Sequence, residues 1–560
     1  MPKITIDGHE CEFKPGQMIL QVANDHALEI PQYCYHDALS IVASCRICLV
    51  EVWAPNPRND NKLEPIPKLL PACQTPAGDN QVVYSDSPRS VANQKAVMEY
   101  LLITHPLDCP VCDQSGECDL QDYSYKYGRG VSRFEESKVK QPKKDLGPNV
   151  LLYADRCIMC SRCVRFTREI SGTGELMVAG RGNTEQIDVF PGRALDNEVA
   201  SNVIDLCPVG ALLDKDFLFK KRVWDLTVTP SIDGITSSGD NITLEHADNR
   251  IHRVKPRENM AVNKWWITDE VRYGWKFIHS RERLTTPMRR QYAAQVACEF
   301  ARAYEDAIEG VQKAVQQGKR LALVVSPMLS CEDAFHLARL ARALDEKAML
   351  AVGPIPVRGE DKIFPPGAAE DDPRRFTMRA EKCPNARGVR RALEAVAAGD
   401  TVWSFEDITA KLNGAQVGAL LLTGGVPSDR ATPALKQAFA KNDLFTILID
   451  VLNGPLVAAA DIVLPGSTWA EKEGTFENAT NRLQGFARAI NPVEHSRPEA
   501  QIAIDMLTRL EQGDEATPPR YSAEQTRQRM ADAGLTAFTS EVHLPPGREK
   551  VIADLQVVEL

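Results

Sequence analysis

Cysteines at short, repeated spacings mark the amino-terminal part of this sequence as a place for metal chemistry. The chain holds 15 cysteines in 560 residues, and all but three of them precede Pro208. Secreted disulfide scaffolds are short and rich in cysteine throughout, whereas these cysteines concentrate in a few segments of a large chain. The pattern therefore indicates metal ligation in a reducing compartment.

The first candidate ligand set consists of Cys34, Cys45 and Cys48, spaced C-x10-C-x2-C, and of Cys73. A plant-type two-iron cluster takes a close cysteine pair, an earlier cysteine and a distant fourth, because its rhombic core needs two thiolates on each iron. The loop from Ser44 to Ile47 is small and polar enough to let backbone amides point at the sulfide of a cluster. The spacing favours a [2Fe-2S] cluster, and a structural zinc site is the alternative.

The second set consists of His105, Cys109, Cys112 and Cys118, spaced H-x3-C-x2-C-x5-C. The spacing alone favours a zinc site and a [4Fe-4S] cluster about equally. A lone histidine is usually an ordinary surface or core residue. Here it follows a predicted helix that ends near position 104 and stands directly before a proline. Both neighbours restrict the backbone, so the histidine would enter the site from a fixed direction.

The third set is the strongest signal in the sequence. Cys157, Cys160 and Cys163 form C-x2-C-x2-C, and Cys207 stands directly before Pro208. This is the bacterial ferredoxin pattern, in which a remote cysteine completes the ligation of a [4Fe-4S] cluster. The positions where a two-cluster ferredoxin has its other ligands hold Thr167, Asn197, Ala200 and Val203. The sequence therefore predicts a single cluster in this module.

Two further groups of residues are ambiguous. The arginines that flank the third set either stabilise the charge of a cluster, pair with a partner chain or form a solvated helix face; they are Arg156, Arg162, Arg165 and Arg168. The cysteines outside the three sets are Cys11, Cys298, Cys331 and Cys383. They are far apart in sequence, which predicts small buried hydrophobic residues and not ligands.

The elements that must position these ligands are readable from patterns of hydrophobicity. Alternating strands and a helix near 18–26 predict a small mixed α/β module over 3–80, with a surface excursion rich in Pro and Asn at 54–68. Residues 88–104 have helical spacing, and the charged segment 134–149 is predicted to be a linker. From 285 onward, helical stretches alternate with apolar runs, which predicts a parallel sheet flanked by helices.

Composition narrows the classes of function. The chain is 43% hydrophobic and 25% charged and has a mean hydropathy of -0.28, which are ordinary values for a soluble globular protein. No apolar run approaches the roughly 18 residues of a membrane-spanning helix, so any membrane association is expected to go through partners. The net charge of -10 argues against nucleic acid as the main partner, and the amino terminus does not read as a signal peptide.

The order of the three ligand sets resembles the large iron-sulfur subunit of NADH:quinone oxidoreductase, respiratory complex I. The segments CRICLVEV, THPLDCPVCDQSGECDLQD, DRCIMCSRCVRFTREISGTGEL and NVIDLCPVGAL carry the resemblance over about the first 280 residues. Later segments, among them ADIVLPGSTWAEKEGTFENATNRLQ, look more loosely like the molybdopterin oxidoreductase fold.

The resemblance implies a multidomain α/β protein. Its expected parts are a ferredoxin-type (β-grasp) [2Fe-2S] domain at 1–82, a histidine-ligated [4Fe-4S] domain at 83–122, a ferredoxin-like [4Fe-4S] domain at 123–222, a degenerate domain without a cluster at 223–280, a molybdopterin oxidoreductase-like domain without cofactor at 281–515 and a tail at 516–560.

The sequence departs from the family pattern in one informative place. Some bacterial members bind an additional four-iron cluster after the third set. The corresponding segment here, TPSIDGITSSGDN, has no cysteine, and Thr268 stands where a further ligand would be expected. We therefore expect one [2Fe-2S] cluster, two [4Fe-4S] clusters and no molybdopterin. The carboxy-terminal half is also short for the family.

The implied function is electron transfer from a flavin subunit that oxidises NADH toward quinone, with no catalytic residue on this chain. The expected partners are the flavin/NADH-binding subunit and other iron-sulfur subunits, with no nucleic acid and no direct membrane insertion. The expected location is the cytoplasm, at the inner face of the cell membrane. Alternatives are an iron-sulfur subunit of a soluble NAD-linked hydrogenase or formate dehydrogenase, and a non-redox scaffold. Glycines at 172–174 and 424–425 are weak nucleotide-binding signals.

Overall fold

The structure is a computed structural model that describes residues 1–292, 294–425, 431–441 and 443–546, together with the backbone of 549–550. The chain divides into two compact units. The first is built from 1–225 with the short segment 364–369, and the second from 226–363 and 370–550. All three candidate ligand sets belong to the first unit.

The elements of the first unit are short. Its strands are β1 Lys3–Ile6, β2 His9–Glu12, β3 Leu49–Asn56, β4 Lys62–Pro65, β5 Leu70–Pro71, β6 Val82–Tyr84, β7 Lys143–Asp145, β8 Val150–Tyr153, β9 Leu176–Ala179, β10 Gln186–Val189 and β11 Leu212–Asp214. Its α-helices are α1 Ile19–Asp25, α2 Pro88–Leu102, α3 Asp119–Tyr127, α4 Arg162–Glu169 and α5 Asn202–Leu206.

A sheet in the order β2-β1-β6-β3-β4, with β5 paired to β3, carries the first ligand set. Strands β1 and β6 are parallel, and the other pairs are antiparallel. The apolar residues of α1, from Ile19 to Ala23, are buried against this sheet. The predicted surface excursion is present, and most of it is a hairpin, since β3 continues to Asn56 and pairs with β4.

Helix α2 begins where the sequence predicts, because Ser87 accepts a hydrogen bond from the Ser90 amide and Pro88 occupies the first helical position. The predicted linker at 134–149 is wrong in its last part. Residues Lys143–Asp145 form β7, which pairs with β8 in a three-stranded sheet with β11. The sequence does not predict this strand because its side chains are charged. It lies at the edge of the sheet, where polar residues are tolerated.

The second unit contains longer elements. Its strands are β12 Thr227–Ile232, β13 Asn241–Ala247, β14 Arg250–Pro256, β15 Met288–Gln291, β16 Ala294–Ala297, β17 Arg320–Val325, β18 Met349–Val352, β19 Lys362–Phe364, β20 Phe376–Met378, β21 Val417–Thr423, β22 Phe445–Asp450, β23 Ile462–Pro465, β24 Gly474–Glu477, β25 Leu483–Phe486 and β26 Glu549–Lys550. Phe364, the last residue of β19, belongs to the first unit. Its α-helices are α6 Asp269–Tyr273, α7 Phe300–Gln316, α8 Cys331–Leu344, α9 Ala386–Ala397, α10 Phe405–Leu412, α11 Pro433–Phe439, α12 Glu499–Gln512, α13 Ala523–Asp532 and α14 Ala537–Ser540.

The predicted parallel sheet is confirmed. Strands β18, β17, β21, β22 and β23 are parallel neighbours, and β15 and β16 extend the sheet in antiparallel fashion. Hydrophobic clusters cover both faces, which is why the apolar runs are nearly continuous. Of the helices described, none is both long and apolar enough to cross a membrane.

Candidate metal centres

The structure arranges the first ligand set as two pairs. The sulfur atoms of Cys48 and Cys73 are 3.5 Å apart. The thiol of Cys34 lies beside that of Cys45, which lowers the pKa of Cys34. Two pairs of thiols are what a rhombic two-iron core requires, because each iron takes two thiolates.

The loop that precedes β3 brings the first set together. Ala43 and Arg46 have positive φ angles of 48° and 60°, so the chain turns sharply on both sides of Cys45. Backbone amides of Ser44 and Cys45 hydrogen-bond to the sulfur of Cys34.

Three members of the second set line one cavity. His105, Cys109 and Cys118 face it, together with apolar residues such as Leu107. Burial lowers the pKa of His105 to about 4, so its imidazole is neutral at pH 7, the form that binds metals. Cys118 stands at the start of α3, where amides of the first turn hydrogen-bond to its sulfur.

Cys112, the fourth member, is buried and is not among the residues that line this cavity. Its sulfur lies against Gly210: a Cβ atom at position 210 would come within 2.2 Å of it. Glycine is therefore required at 210 for Cys112 to keep its position. Cys109, in contrast, is exposed to solvent in this chain.

All four members of the third set line a single small cavity. Cys157, Cys160, Cys163 and Cys207 surround it, and its remaining walls are mostly apolar. Met159 and Ser161 have positive φ angles of 52° and 60°, which lets the short segment wrap around the cavity. The amide of Met159 donates to the sulfur of Cys157 over 3.3 Å. The sulfur of Cys207 accepts hydrogen bonds from the amides that follow Pro208.

The four arginines beside the third set have different environments. Arg156 and Arg165 are buried, at 3% and 8% exposure, whereas Arg168 is exposed. The solvated-face interpretation therefore holds for Arg168 and fails for Arg156 and Arg165. The part-buried Arg162 donates to the carbonyl of Leu206, next to Cys207, over 3.4 Å.

The donor sets consist of thiols and one imidazole, which are ligands that iron-sulfur clusters take. Within the part of the chain that the structure describes, no group of three or more His, Cys, Asp or Glu side chains lies close enough to hold one metal ion. A zinc site needs its ligands to converge on one point. Cluster ligands bind different irons and only need to surround a cavity or form pairs. All four members of the third set surround one cavity, and three members of the second set line another.

Sequence reasoning missed the residues that support the ligands. Gly210 lies against the sulfur of Cys112, and Asp108 binds Arg156, the residue before Cys157. Both lie in segments that carry the family resemblance, but neither was singled out as a functional residue. The position of Asp108 directly before Cys109 is the only signal it offers. Of the unassigned cysteines, Cys11, Cys331 and Cys383 are buried as predicted, whereas Cys298 is only half-buried.

Thr268, at the position where some relatives are expected to have an additional ligand, has a structural role. Its hydroxyl accepts a hydrogen bond from the amide of Val271 and so caps the amino terminus of α6. In the nearby segment without cysteine, the carboxylate of Asp233 accepts hydrogen bonds from the amides of Ile235 and Thr236.

Family models match most of the chain. They are a "2Fe-2S iron-sulfur cluster binding domain" at 2–88, an "NADH-ubiquinone oxidoreductase-G iron-sulfur binding region" at 94–133, an "NADH-quinone oxidoreductase subunit 3, ferredoxin-like domain" at 147–213, an "NADH-ubiquinone oxidoreductase NDSU1/NuoG-like, 4Fe-4S domain" at 226–276 and a "Molybdopterin oxidoreductase" model at 395–509.

Individual relatives agree with these matches. The chain is 36% identical over 64% of its length to the NADH-ubiquinone oxidoreductase 75 kDa subunit of Reclinomonas americana, covering 50% of that protein. It is 38% identical over 61% of its length to the mitochondrial NADH-ubiquinone oxidoreductase 78 kDa subunit of Neurospora crassa, covering 45% of it. A bacterial relative, an NADH-quinone oxidoreductase subunit of Rickettsia felis, is 35% identical over 61% of the chain and is covered to 49%. The chain thus matches about half the length of these curated relatives.

Among solved structures, a chain from a crystal structure of NAD+-reducing [NiFe]-hydrogenase in the H2-reduced state is 29% identical. The alignment covers 40% of the present chain and 91% of the hydrogenase chain, with a TM-score of 0.35.

Proposed function

We propose that this chain, a relative of the 75 kDa and 78 kDa subunits of NADH-ubiquinone oxidoreductase and of their bacterial counterpart, is an electron-transfer subunit of such a complex. The observation that carries the proposal is the presence of three complete ligand sets in one compact unit. The complex would move electrons from NADH toward quinone and couple their transfer to proton translocation. No residue of this chain is assigned a catalytic role.

The proposed cofactors follow from the ligand sets. Cys34, Cys45, Cys48 and Cys73 would hold a [2Fe-2S] cluster, and the other two sets would each hold a [4Fe-4S] cluster. Bound clusters of this kind supply one-electron transfer. The chain itself fixes the positions of the ligands, surrounds the third set with apolar walls and directs amides at the sulfur atoms.

The second unit is proposed to bind no pterin and no fourth cluster. Its family matches include the molybdopterin oxidoreductase model, and Cys298, Cys331 and Cys383 are its only cysteines in the sequence. The side chain of Cys331 contacts that of Asn385, and Cys383 belongs to a small hydrophobic cluster. These environments support a role in packing. The proposal also includes the domain boundaries 1–82, 83–122, 123–222, 223–280, 281–515 and 516–560.

The proposed partners are the flavin/NADH-binding subunit and other iron-sulfur subunits, and the proposed location is the inner face of the cell membrane, reached through the complex. The names of the relatives support membership of such a complex.

Reduction of the chain by NADH tests the function. The anaerobically purified complex should show EPR signals from this chain's clusters on addition of NADH. A chain purified alone should show them with dithionite but not with NADH, because the flavin is proposed to belong to a partner subunit. A non-redox scaffold would leave clusters that neither reductant reduces, and that result would overturn the proposal.

A further inference from the structure

Arg165 connects two of the ligand loops. It lies on α4, two residues after Cys163, and is buried. One terminal nitrogen of its guanidinium donates to the carbonyl oxygens of Cys34 and, over 3.3 Å, Cys160. These two residues belong to the first and the third ligand set. The guanidinium thus bridges segments that lie 126 positions apart in the sequence.

The remaining donors of Arg165 complete this bridge. The other terminal nitrogen donates to the carbonyl of Ser40 over 2.5 Å, and Nε donates to the hydroxyl of Ser161 over 3.3 Å. Glu169, one turn later on α4, binds the amide and the hydroxyl of Ser40 over 2.8 and 2.5 Å. Helix α4 therefore holds the loop that follows Cys34 with one cation and one anion.

The charge of Arg165 needs a counter-charge. A guanidinium stays protonated in proteins, and a buried charge is costly unless an opposite charge compensates it. Within the described chain, the hydrogen bonds of Arg165 go to carbonyl and hydroxyl oxygens, which are neutral. The nearby carboxylate of Glu169 supplies part of the counter-charge without a direct ion pair. The neighbouring groups that become anionic on cluster binding are the thiolates of the first and third sets.

We propose that Arg165 is a positioning residue shared by the two-iron site and the Cys157 site, and that its charge raises the reduction potentials of both clusters. The inference rests on the proposed function. Reduction adds a negative charge to a cluster, and a nearby fixed cation stabilises the reduced form. Because Arg165 contacts backbone oxygens of both ligand loops, one side chain acts on two clusters.

The test is an EPR-monitored redox titration of the full chain in its complex, with three variants. Arg165→Gln removes the charge and retains a hydrogen-bonding side chain. Arg165→Lys retains the charge and loses the planar fork. Arg168→Gln is the matched control, because it removes the same charge from the exposed face of the same helix. The His105 site is an internal reference, because none of the hydrogen bonds described for Arg165 reaches its ligands.

In Arg165→Gln, the midpoints of both the two-iron cluster and the Cys157-site cluster should fall, and the midpoint of the His105 site should stay unchanged. Arg165→Lys should leave both midpoints closer to the wild-type values, and Arg168→Gln should change neither. Cluster occupancy at these two sites should follow the same order, with Arg165→Gln lowest and Arg168→Gln equal to the wild type. A change at only one of the two sites, equal effects of Lys and Gln, or no change in either would overturn the proposal. A wild-type chain without reducible clusters would instead contradict the proposed function.

Discussion

Arg156 donates two hydrogen bonds to one carboxylate oxygen of Asp108, over 3.1 and 3.0 Å. Arg156 directly precedes Cys157, and Asp108 directly precedes Cys109, so this ion pair fastens the loop of the second ligand set to the loop of the third. The guanidinium also lies over the ring of Tyr153, 4.0 Å from its centroid. The second and third sites therefore share a support, as the first and third share Arg165.

Asp108→Asn should weaken this support. The variant replaces a charge-assisted pair with neutral hydrogen bonds and leaves the buried guanidinium without its carboxylate, at an expected cost of about 1–2 kcal/mol. The thermal unfolding midpoint should fall, and the His105-site cluster should be lost earlier than in the wild type. Asp60→Asn, at the exposed tip of the hairpin, is the control and should change neither quantity. Equal behaviour of the two variants would show that the pair contributes nothing.

Gly210→Ala should disturb the second site selectively. The added Cβ would approach within 2.2 Å of the sulfur of Cys112, so this ligand must move. We expect reduced occupancy of the His105-site cluster, measured by EPR, with the two-iron cluster retained. Gly454→Ala serves as a control, since a Cβ there meets nothing within 4 Å. Full occupancy of the His105-site cluster in Gly210→Ala would remove Cys112 from the ligand set.

His105 variants test the ligand that most distinguishes the second site. Because imidazole is neutral and thiolate is anionic, His105→Cys should keep a four-iron cluster but lower its potential. His105→Ala should leave one iron open to water and make the cluster labile. An unchanged midpoint in His105→Cys, together with full occupancy in His105→Ala, would identify His105 as a bystander.

The stability of the second unit should depend on pH through Glu332. Burial raises the pKa of this carboxyl to about 7, although Thr475 donates two hydrogen bonds to it, over 2.8 and 2.7 Å. Between pH 4.5 and 7, the native state therefore keeps a proton that the unfolded state has released, so stability falls as pH rises. Arg527, at 3.6 Å, opposes the shift without cancelling it.

The measurement is the thermal unfolding midpoint at pH 5 and at pH 7.5. The fall in the midpoint with pH should be smaller in Glu332→Gln than in the wild type, because the variant cannot titrate at this position. Other buried carboxyls, Asp233 and Glu499 among them, should maintain part of the dependence. The exposed Glu346→Gln should behave as the wild type does. An unaltered pH dependence in Glu332→Gln would contradict the account.

The sequence predicts elements that have a periodic pattern and sites that have a spacing. The parallel sheet is predictable because its apolar runs are long, and the pairing of Cys48 with Cys73 agrees with the requirement of a two-iron core. Strand β7 is not predictable from the sequence, because a run of charged residues at a sheet edge has the same composition as a linker. The contacts of Arg165 and Arg156 could not be predicted, since they join loops that are distant in sequence and depend on tertiary packing.

Iron, sulfide and zinc analysis of the anaerobically purified chain, combined with EPR, tests the central claim most directly. Three ligand sets that hold one two-iron and two four-iron clusters predict about ten iron atoms per chain, without stoichiometric zinc, molybdenum or tungsten. EPR should resolve one [2Fe-2S] and two [4Fe-4S] signals. About fourteen iron atoms would indicate an additional four-iron cluster, and stoichiometric zinc would show that at least one set is a structural metal site; either result would contradict the account.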